Sequence, residues 1–454
     1  MAVIAPFRAL RYNPAKIRDM EEVVTPPYDV IDAQAQAAFA RKNPFNMIHL
    51  DLSKSVSPEQ LTDARYQQAR ETFADWQAQE VLVRDAEPAL YLYHVEYGLP
   101  SGRRLTRKGL LSLVRLAEFS EGIVKPHEKT FSGVTSDRLR LLDACHCQFS
   151  PIFSLYPDPE GAVMALLEAA CPATPLCEVT DHDGCVHRIW AVSDPAVVGK
   201  VVALFRDKAL YIADGHHRYT TALQFRRLMA ERQGAVAEES PYNHTMMYLC
   251  GMEDPGLSVL PTHRLVRKPG KVSVDALLAT LGRDFDMEEI SGSSRESLVE
   301  AVLSRMEENP GHATRFGLYH PEEDRCFLLT LADGVMDREF GNQQPACLRE
   351  LDVVVLSDLI LERLLDLSHG RCEAEGLVDY FSDPDEALDV AVKQAEGMEG
   401  ATPLLFLMNS TRVGQVKRVA DENLVMPHKS TYFYPKALTG LLLNKIVPEE
   451  RISA

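Results

Sequence analysis

A chain of 454 residues, 46% hydrophobic and 25% charged, has the composition of a globular protein long enough for two or three domains. Its formal charge of −18 at pH 7 excludes a protein that coats DNA, because nonspecific affinity comes from neutralising phosphates with Lys and Arg. A local basic pocket is still allowed, since a small anion needs only a few converging donors. No stretch approaches the roughly 18 apolar residues of a spanning helix, and Met1–Leu10 lacks the basic start and apolar run of a secretion signal. Nine cysteines, with Cys145 and Cys147 the one close pair, fit reduced thiols better than a disulfide framework. These features predict a cytoplasmic protein with a small-molecule substrate and no nucleic-acid or membrane partner.

Near the start, Pro26 and Pro27 fix an extended approach, and Tyr28-Asp29 stands where the chain turns into a helix predicted over Ala33–Arg41. Two readings stay open there. Asp29 or Asp32 caps that helix, or Pro26–Asp29 is a stiff active-site loop. Asn43–Leu50 is expected to lead into a strand, and Pro58–Gln79 to form a helix. Alternation over Ala89–Tyr97 and Arg103–Leu116, with a turn at Leu99–Gly102, predicts a hairpin. Lys125-Pro-His-Glu-Lys-Thr130 is dense in groups that move protons or hold anions, and it reads either as a solvated connection or as a loop stiffened by Pro126 for use in a site. His127-Glu128 is not part of a His-Glu-x-x-His motif, so a metalloprotease has no support. Ser136 is the expected cap of a helix running to Asp143, with Asp137-Arg138 in its first turn and Leu139 and Leu142 on its buried face. A buried strand at Ser150–Tyr156, a helix at Gly161–Ala170 and a strand at Val186–Ala191 follow.

The most informative stretch is Leu210–Ala222. It reads as an apolar strand ending at Ala213-Asp214-Gly215, then a polar turn, His216-His217-Arg218, that opens a helix to Arg232. A helix that starts at a glycine presents unpaired N–H groups and a positive dipole end, which makes an anion site. Arg218 and two histidines add donors, and Asp214 is the one acid inside the cluster. After an acidic linker at Gly234–Ser240 come a strand at Tyr242–Cys250 and another at Leu260–Leu265, whose His263-Arg264 either faces the site or does not. From Lys271 helices at Val272–Leu281 and Ser294–Asn309 and strands near Asp284–Ile290, Arg315–His320 and Cys326–Leu331 suggest a small α+β unit. Leu351–Leu367 is an apolar helix suited equally to a core or to a homodimer contact. In Val425–Gly440, Lys429, Ser430, Thr431 and Lys436 supply donors and three aromatics a platform, for a packed C-terminal cover or for a loop closing over the anion site. The domains expected are a main domain at 1–268, an accessory α+β domain at 269–345, and a C-terminal part at 346–454 that returns to the main one.

Six blocks, Pro26–Ile31, His127–Thr130, Asp137-Arg138, Ser150–Phe153, Ala213–Tyr219 and Met426–Tyr432, together resemble a bacterial and archaeal family known as domain of unknown function 1015, over nearly the whole chain. The Asp-Gly-His-His-Arg block in turn resembles the phosphate-holding turn of the ParB and sulfiredoxin superfamily, which includes a free-serine kinase, sulfiredoxin and CTP-dependent segregation proteins. Only Asp214, Gly215, His216, His217 and Arg218 are carried across by this second resemblance. Where sulfiredoxin has its catalytic cysteine this chain has His, so sulfinic-acid reduction is not implied. The resemblance implies an α+β fold, a mixed-sheet ParB/sulfiredoxin-like core with an accessory α+β domain. It also implies a phosphotransferase acting on a small hydroxyl compound with ATP or ADP and Mg2+. In that reading Glu128, His127 and Asp214 are catalytic, with Asp214 a magnesium ligand or motif anchor; Gly215, His216, His217, Arg218, Lys429, Ser430 and Thr431 hold the nucleotide; and Tyr28, Asp29 and Arg138 meet the substrate. The alternatives are a nucleotide-binding regulator of the ParB type and a metal-dependent phosphatase using His127, Asp214, His216 and His217.

Overall fold

The predicted hairpin forms the middle of a nine-stranded sheet: Leu90–Gly98 pairs antiparallel with Arg104–Arg115, Tyr93 standing opposite Gly109. A computed structural model describes residues 1–52, 64–99, 102–308, 313–397 and 400–453. From one edge the strands run Val124–Lys125, Leu210–Asp214, Ile152–Tyr156, His244–Gly251, Arg104–Arg115, Leu90–Gly98, Val186–Val192 and Cys177–Thr180, with Ile4–Ala5 also paired to Arg104–Arg115. The sheet is mixed, because Leu210–Asp214 is parallel to Val124–Lys125 and antiparallel to Ile152–Tyr156. The fold class is α+β.

Side chains alternate across the strands, so each strand feeds two faces. One face carries Leu90, Leu92, Leu110, Val114, Met247 and Leu249, packed with Val163, Leu167, Val201 and Phe205 from the helices Ala162–Ala170 and Pro195–Phe205. The residues between them, Tyr91, Tyr93, Tyr97, Arg107, Phe153 and Tyr248, are buried on the other side. Arg107 is 0% exposed there, with its guanidinium 4.7 Å from the Phe153 ring centroid and 5.3 Å from that of Tyr248. Gly109 is required next to it, since a Cβ would come within 2.5 Å of the Tyr248 ring.

Cα packing divides the chain into two units, Met1–Ser258 with Phe433–Ala454, and Val259–Tyr432. The second has its own antiparallel sheet, in the order Phe285–Ile290, Arg325–Leu331, Arg315–His320, Ala401–Leu407, His263–Pro269 and Val378–Phe381. Val299, Val302, Leu388 and Ala391 of the helices Arg295–Glu307 and Pro384–Gly397 cover it. This unit takes in the 269–345 segment together with strands and helices of 346–432. The apolar 351–367 stretch is helical, Asp352–Val354 widening into a π-helical run Val355–Leu364, and Val355, Leu356, Leu359 and Ile360 are buried. Among the described residues no helix is long and apolar enough to cross a membrane.

Several local expectations need correction. Asn43–Leu50 reaches no strand among the described residues: Asn43 Oδ1 accepts from the Phe45 N–H and Asn46 Oδ1 from the Ile48 N–H, and these turns launch a short helix, Ile48–Asp51. The helix expected from Ser136 begins at Ser132 and runs to Cys145 with Phe131 at its N-cap; Ser136 Oγ instead donates to the Ser132 carbonyl at 2.8 Å. Leu142 is buried as expected, with Leu139 packed against its cluster. Asp32 caps Ala33–Lys42, accepting from the Ala35 N–H at 2.7 Å, while Asp29 sits in a separate turn, Tyr28–Val30. Of the helix expected at Pro58–Gln79, Ala64–Ala78 is present; positions 58–63 lie outside the described residues, as do 100 and 101 of the hairpin turn.

Candidate functional site

Tyr211 faces Leu155 and Ile212 faces Ser154, after which an irregularity in register brings Asp214 opposite Phe153 at the strand's end. Gly215 follows with φ 95°, the left-handed region that only glycine enters without strain, and it is the N-cap of the His216–Gln233 helix. A Cβ at this glycine would lie 2.9 Å from Arg218 Nε, so the close approach of the arginine needs glycine as well. The cap has no side chain to accept from the first turn, and that turn contains no acid. The positive end of an 18-residue helix therefore lies at Gly215, a place that favours an anion.

Asp214 is pinned by two cations. Lys436 donates to its Oδ1 and Arg218 to its Oδ2, and Arg218 also donates to the Pro151 carbonyl. The side chains of Asp214, Arg218 and Lys436 are 11%, 11% and 13% exposed. Burial opposes ionisation of Asp214, but the two cations outweigh it and hold the carboxyl far below the usual carboxylate range. Both carboxylate oxygens are engaged. Arg218, by contrast, commits two of its five N–H groups in bonds to the described residues and keeps three.

The two histidines tie down the neighbouring loop. His216 Nε2 accepts the His127 N–H at 3.2 Å and His217 Nε2 accepts the Phe131 N–H at 3.0 Å, so the helix's first turn holds both ends of the Glu128–Thr130 segment. With Nε2 an acceptor, the proton of His216 sits on Nδ1, 3.8 Å from Glu128 Oε2. Burial, helped by His127, brings His216 down to about 3, and burial also lowers His127 against the pull of Glu128 and of a bond to the Ile212 backbone. Their rings meet edge to face, centroids 4.6 Å apart. Glu128, 26% exposed, is the carboxylate of this group that reaches solvent.

Beside Arg218 lies a cavity of about 60 Å3, lined by Tyr28, Asp51, Arg138, Arg218 and Thr221 over an apolar floor that includes Leu141, Ile152 and Ala222. Three residues singled out from sequence, Tyr28, Arg138 and Arg218, thus meet in one place. Arg138 commits four of its five N–H groups: Nε and NH2 to Asp137 Oδ2, NH1 to Asp51 Oδ1 at 2.7 Å, and NH2 to the Asp51 carbonyl. Its guanidinium lies 4.4 Å from the Tyr28 ring centroid, and Asp29 is exposed on the same turn as Tyr28. Asp51 and Thr221 were not foreseen. Thr221 carried a readable signal, because it follows Arg218 by three positions and so shares its helix face. Asp51 carried none.

Lys429, Ser430 and Thr431 belong to the second unit. There the Lys429 carbonyl accepts from Arg264 at 3.1 Å, Ser430 Oγ donates to the Pro427 carbonyl at 2.6 Å, and Thr411 donates to the Ser430 carbonyl. His263, of the second His-Arg pair, accepts the Met408 N–H through Nδ1 at 3.0 Å. The C-terminal cation that reaches Asp214 is Lys436. Among the described residues, the carboxylate and imidazole group whose ligand atoms all lie within 4.8 Å of one another is Asp181, His182 and Asp183, mostly exposed and separate from the motif.

Among solved structures, a free serine kinase mutant in complex with AMP matches at 13% identity over 72% of this chain and 86% of that one, with a TM-score of 0.32. A conserved hypothetical protein from Pyrococcus furiosus matches at 14% identity over 72% and 90%, TM-score 0.31. C-terminally truncated SbnI from Staphylococcus aureus matches at 10% identity over 72% and 85%, TM-score 0.33. No curated protein sequence matches. The family model described as "Protein of unknown function (DUF1015)" matches residues 4–354, and the chain belongs to that family.

Proposed function

We propose that this DUF1015 member is a nucleotide-dependent phosphotransferase that moves a phosphoryl group from ATP or ADP to a small hydroxyl compound. The observation that carries the reading is the helix start at Gly215, which no side chain caps, with Arg218 keeping three N–H donors beside a cavity. Phosphoryl transfer asks mainly for positioning and charge neutralisation, and a helix N-terminus with a forked arginine supplies both.

In this reading the nucleotide's phosphates lie against the first-turn N–H groups of His216 and His217 and against Arg218. The acceptor oxygen attacks the terminal phosphorus, the bond from phosphorus to the departing nucleotide oxygen breaks, and the hydroxyl proton passes to Glu128. His127 and His216 are buried and neutral, and they position Glu128 by fixing its loop. A magnesium ion arriving with the nucleotide supplies charge neutralisation. Asp214 does not fit as its ligand, since both its oxygens already meet cations; its role is to anchor Arg218. Incubation with labelled ATP or ADP and a panel of hydroxylated compounds is expected to give a new phosphorylated product. Nucleotide binding without transfer would indicate a regulator instead, and no nucleotide binding at micromolar to low-millimolar concentration would overturn both.

A further inference from the structure

Two side chains in the lining of the cavity beside Arg218 carry a buried polar atom with no hydrogen-bond partner among the described residues. Asp51 is 5% exposed, and while its Oδ1 accepts from Arg138, its Oδ2 is buried without a hydrogen-bond partner among the described residues. Thr221 is 3% exposed, and its hydroxyl likewise has no partner among the described residues. Both residues line the cavity. Buried polar atoms are almost always bonded, and leaving one without a partner costs the desolvation of that group.

We propose that this cavity is the acceptor site and that it takes a neutral polyol, with one hydroxyl donating to Asp51 Oδ2 and a second bonding Thr221 Oγ1. The choice follows from the lining. Burial pushes the Asp51 carboxyl up against the pull of Arg138 and Arg218; as the carboxylate of its ion pair with Arg138, its Oδ2 accepts, so the occupant presents a donor there. An ammonium is disfavoured because Asp51, the one carboxylate in the lining, is already paired with the Arg138 guanidinium at 2.7 Å. A carboxylate or zwitterion is disfavoured because Asp51 would face it, Arg138 has one N–H left to offer, and the three of Arg218 go to the nucleotide phosphates in the proposed function. Neighbouring hydroxyls of an uncharged polyol meet both open groups, and the carbon-bound hydrogens of its other face rest on Leu141, Ile152 and Ala222. Arg138 is then a positioning residue that holds Asp51 in place.

The assignment rests on the phosphotransferase reading for the word acceptor and for the commitment of Arg218 to phosphates, and the test separates the two. Binding of myo-inositol, glycerol and D-ribose to the full chain is measured by calorimetry beside ethanolamine and L-serine, with and without nucleotide. A polyol is expected to bind in preference to the amine and the zwitterion. Thr221→Val, which keeps the shape of the side chain, should weaken that binding on the order of tenfold, and Asp51→Asn more, with nucleotide binding unchanged in Thr221→Val. Thr221→Val keeps the test decisive if Asp51→Asn fails to fold. Preference for ethanolamine or serine, no polyol binding, or polyol binding indifferent to Thr221→Val would overturn the proposal. Polyol binding that depends on Thr221 in a chain that binds no nucleotide would leave the cavity assignment standing and remove the transfer reading.

Discussion

Lys436→Met tests whether the C-terminal segment fastens the motif electrostatically. The substitution keeps most of the apolar stem and removes the ammonium from Asp214 Oδ1, while Arg218 stays on Oδ2. Stripping a buried charge of its partner costs about 3–5 kcal/mol when nothing else compensates it. Here one cation remains and the groups are 11–13% exposed, so a loss of about 2 kcal/mol is expected. Urea unfolding of the wild type, Lys436→Met, Asp214→Asn and the double variant gives the coupling directly; it should exceed about 1 kcal/mol. The loss also depends on pH. The folded carboxyl of Asp214 is depressed, so its contribution is full above its unfolded value of about 4 and fades as pH falls below that. Removing Lys436 raises the folded value, and the gap between wild type and variant therefore narrows on acidification. A coupling near zero, or a gap unchanged between neutral and strongly acidic pH, would refute the reasoning.

His216 is held neutral by burial down to about 3, below its unfolded value near 6.5, so the folded state loses up to ~1.4 kcal/mol per pH unit as pH falls between those values. His216→Gln keeps an acceptor for the His127 N–H without titrating, and thermal melts across that window should show a flatter slope than wild type. Gly215→Ala places a Cβ in a left-handed residue against Arg218, and melting should report a loss of about 1–2 kcal/mol together with weaker nucleotide binding. Arg107→Met should be neutral or stabilising in urea unfolding, because NH1 and NH2 of this fully buried guanidinium have no hydrogen-bond partner among the described residues; a loss above about 2 kcal/mol would show that they do.

What the sequence disclosed was what local chemistry determines. The strand ending at Asp214, the glycine and the helix of His216–Gln233 were legible because a short apolar run stops at a residue that alone tolerates a left-handed turn. The hairpin was legible from period-two alternation alone. The 43–50 stretch misled because its apolar residues suit a strand, while the two asparagine turns that bend it depend on side-chain bonds no periodicity records. Ser136 resembled a cap because serine is a good one, yet the helix began a turn earlier without any side-chain cap. In the C-terminal loop, Lys429 and Lys436 looked alike as donors; that Lys436 meets Asp214 is a contact across 222 positions, which only the sheet's topology sets. Asp51 became visible only when Arg138 and the cavity were in place.

The central claim is that the Gly215 helix start with Arg218 holds nucleotide phosphates, and titration calorimetry of ATP and ADP against wild type and Arg218→Ala tests it most directly. Wild type is expected to bind at least one of them at micromolar to low-millimolar concentration, and the variant to lose about 1.5–3 kcal/mol of that binding while keeping a cooperative melt. Equal binding by a folded Arg218→Ala variant, or none by the wild type, would contradict the account.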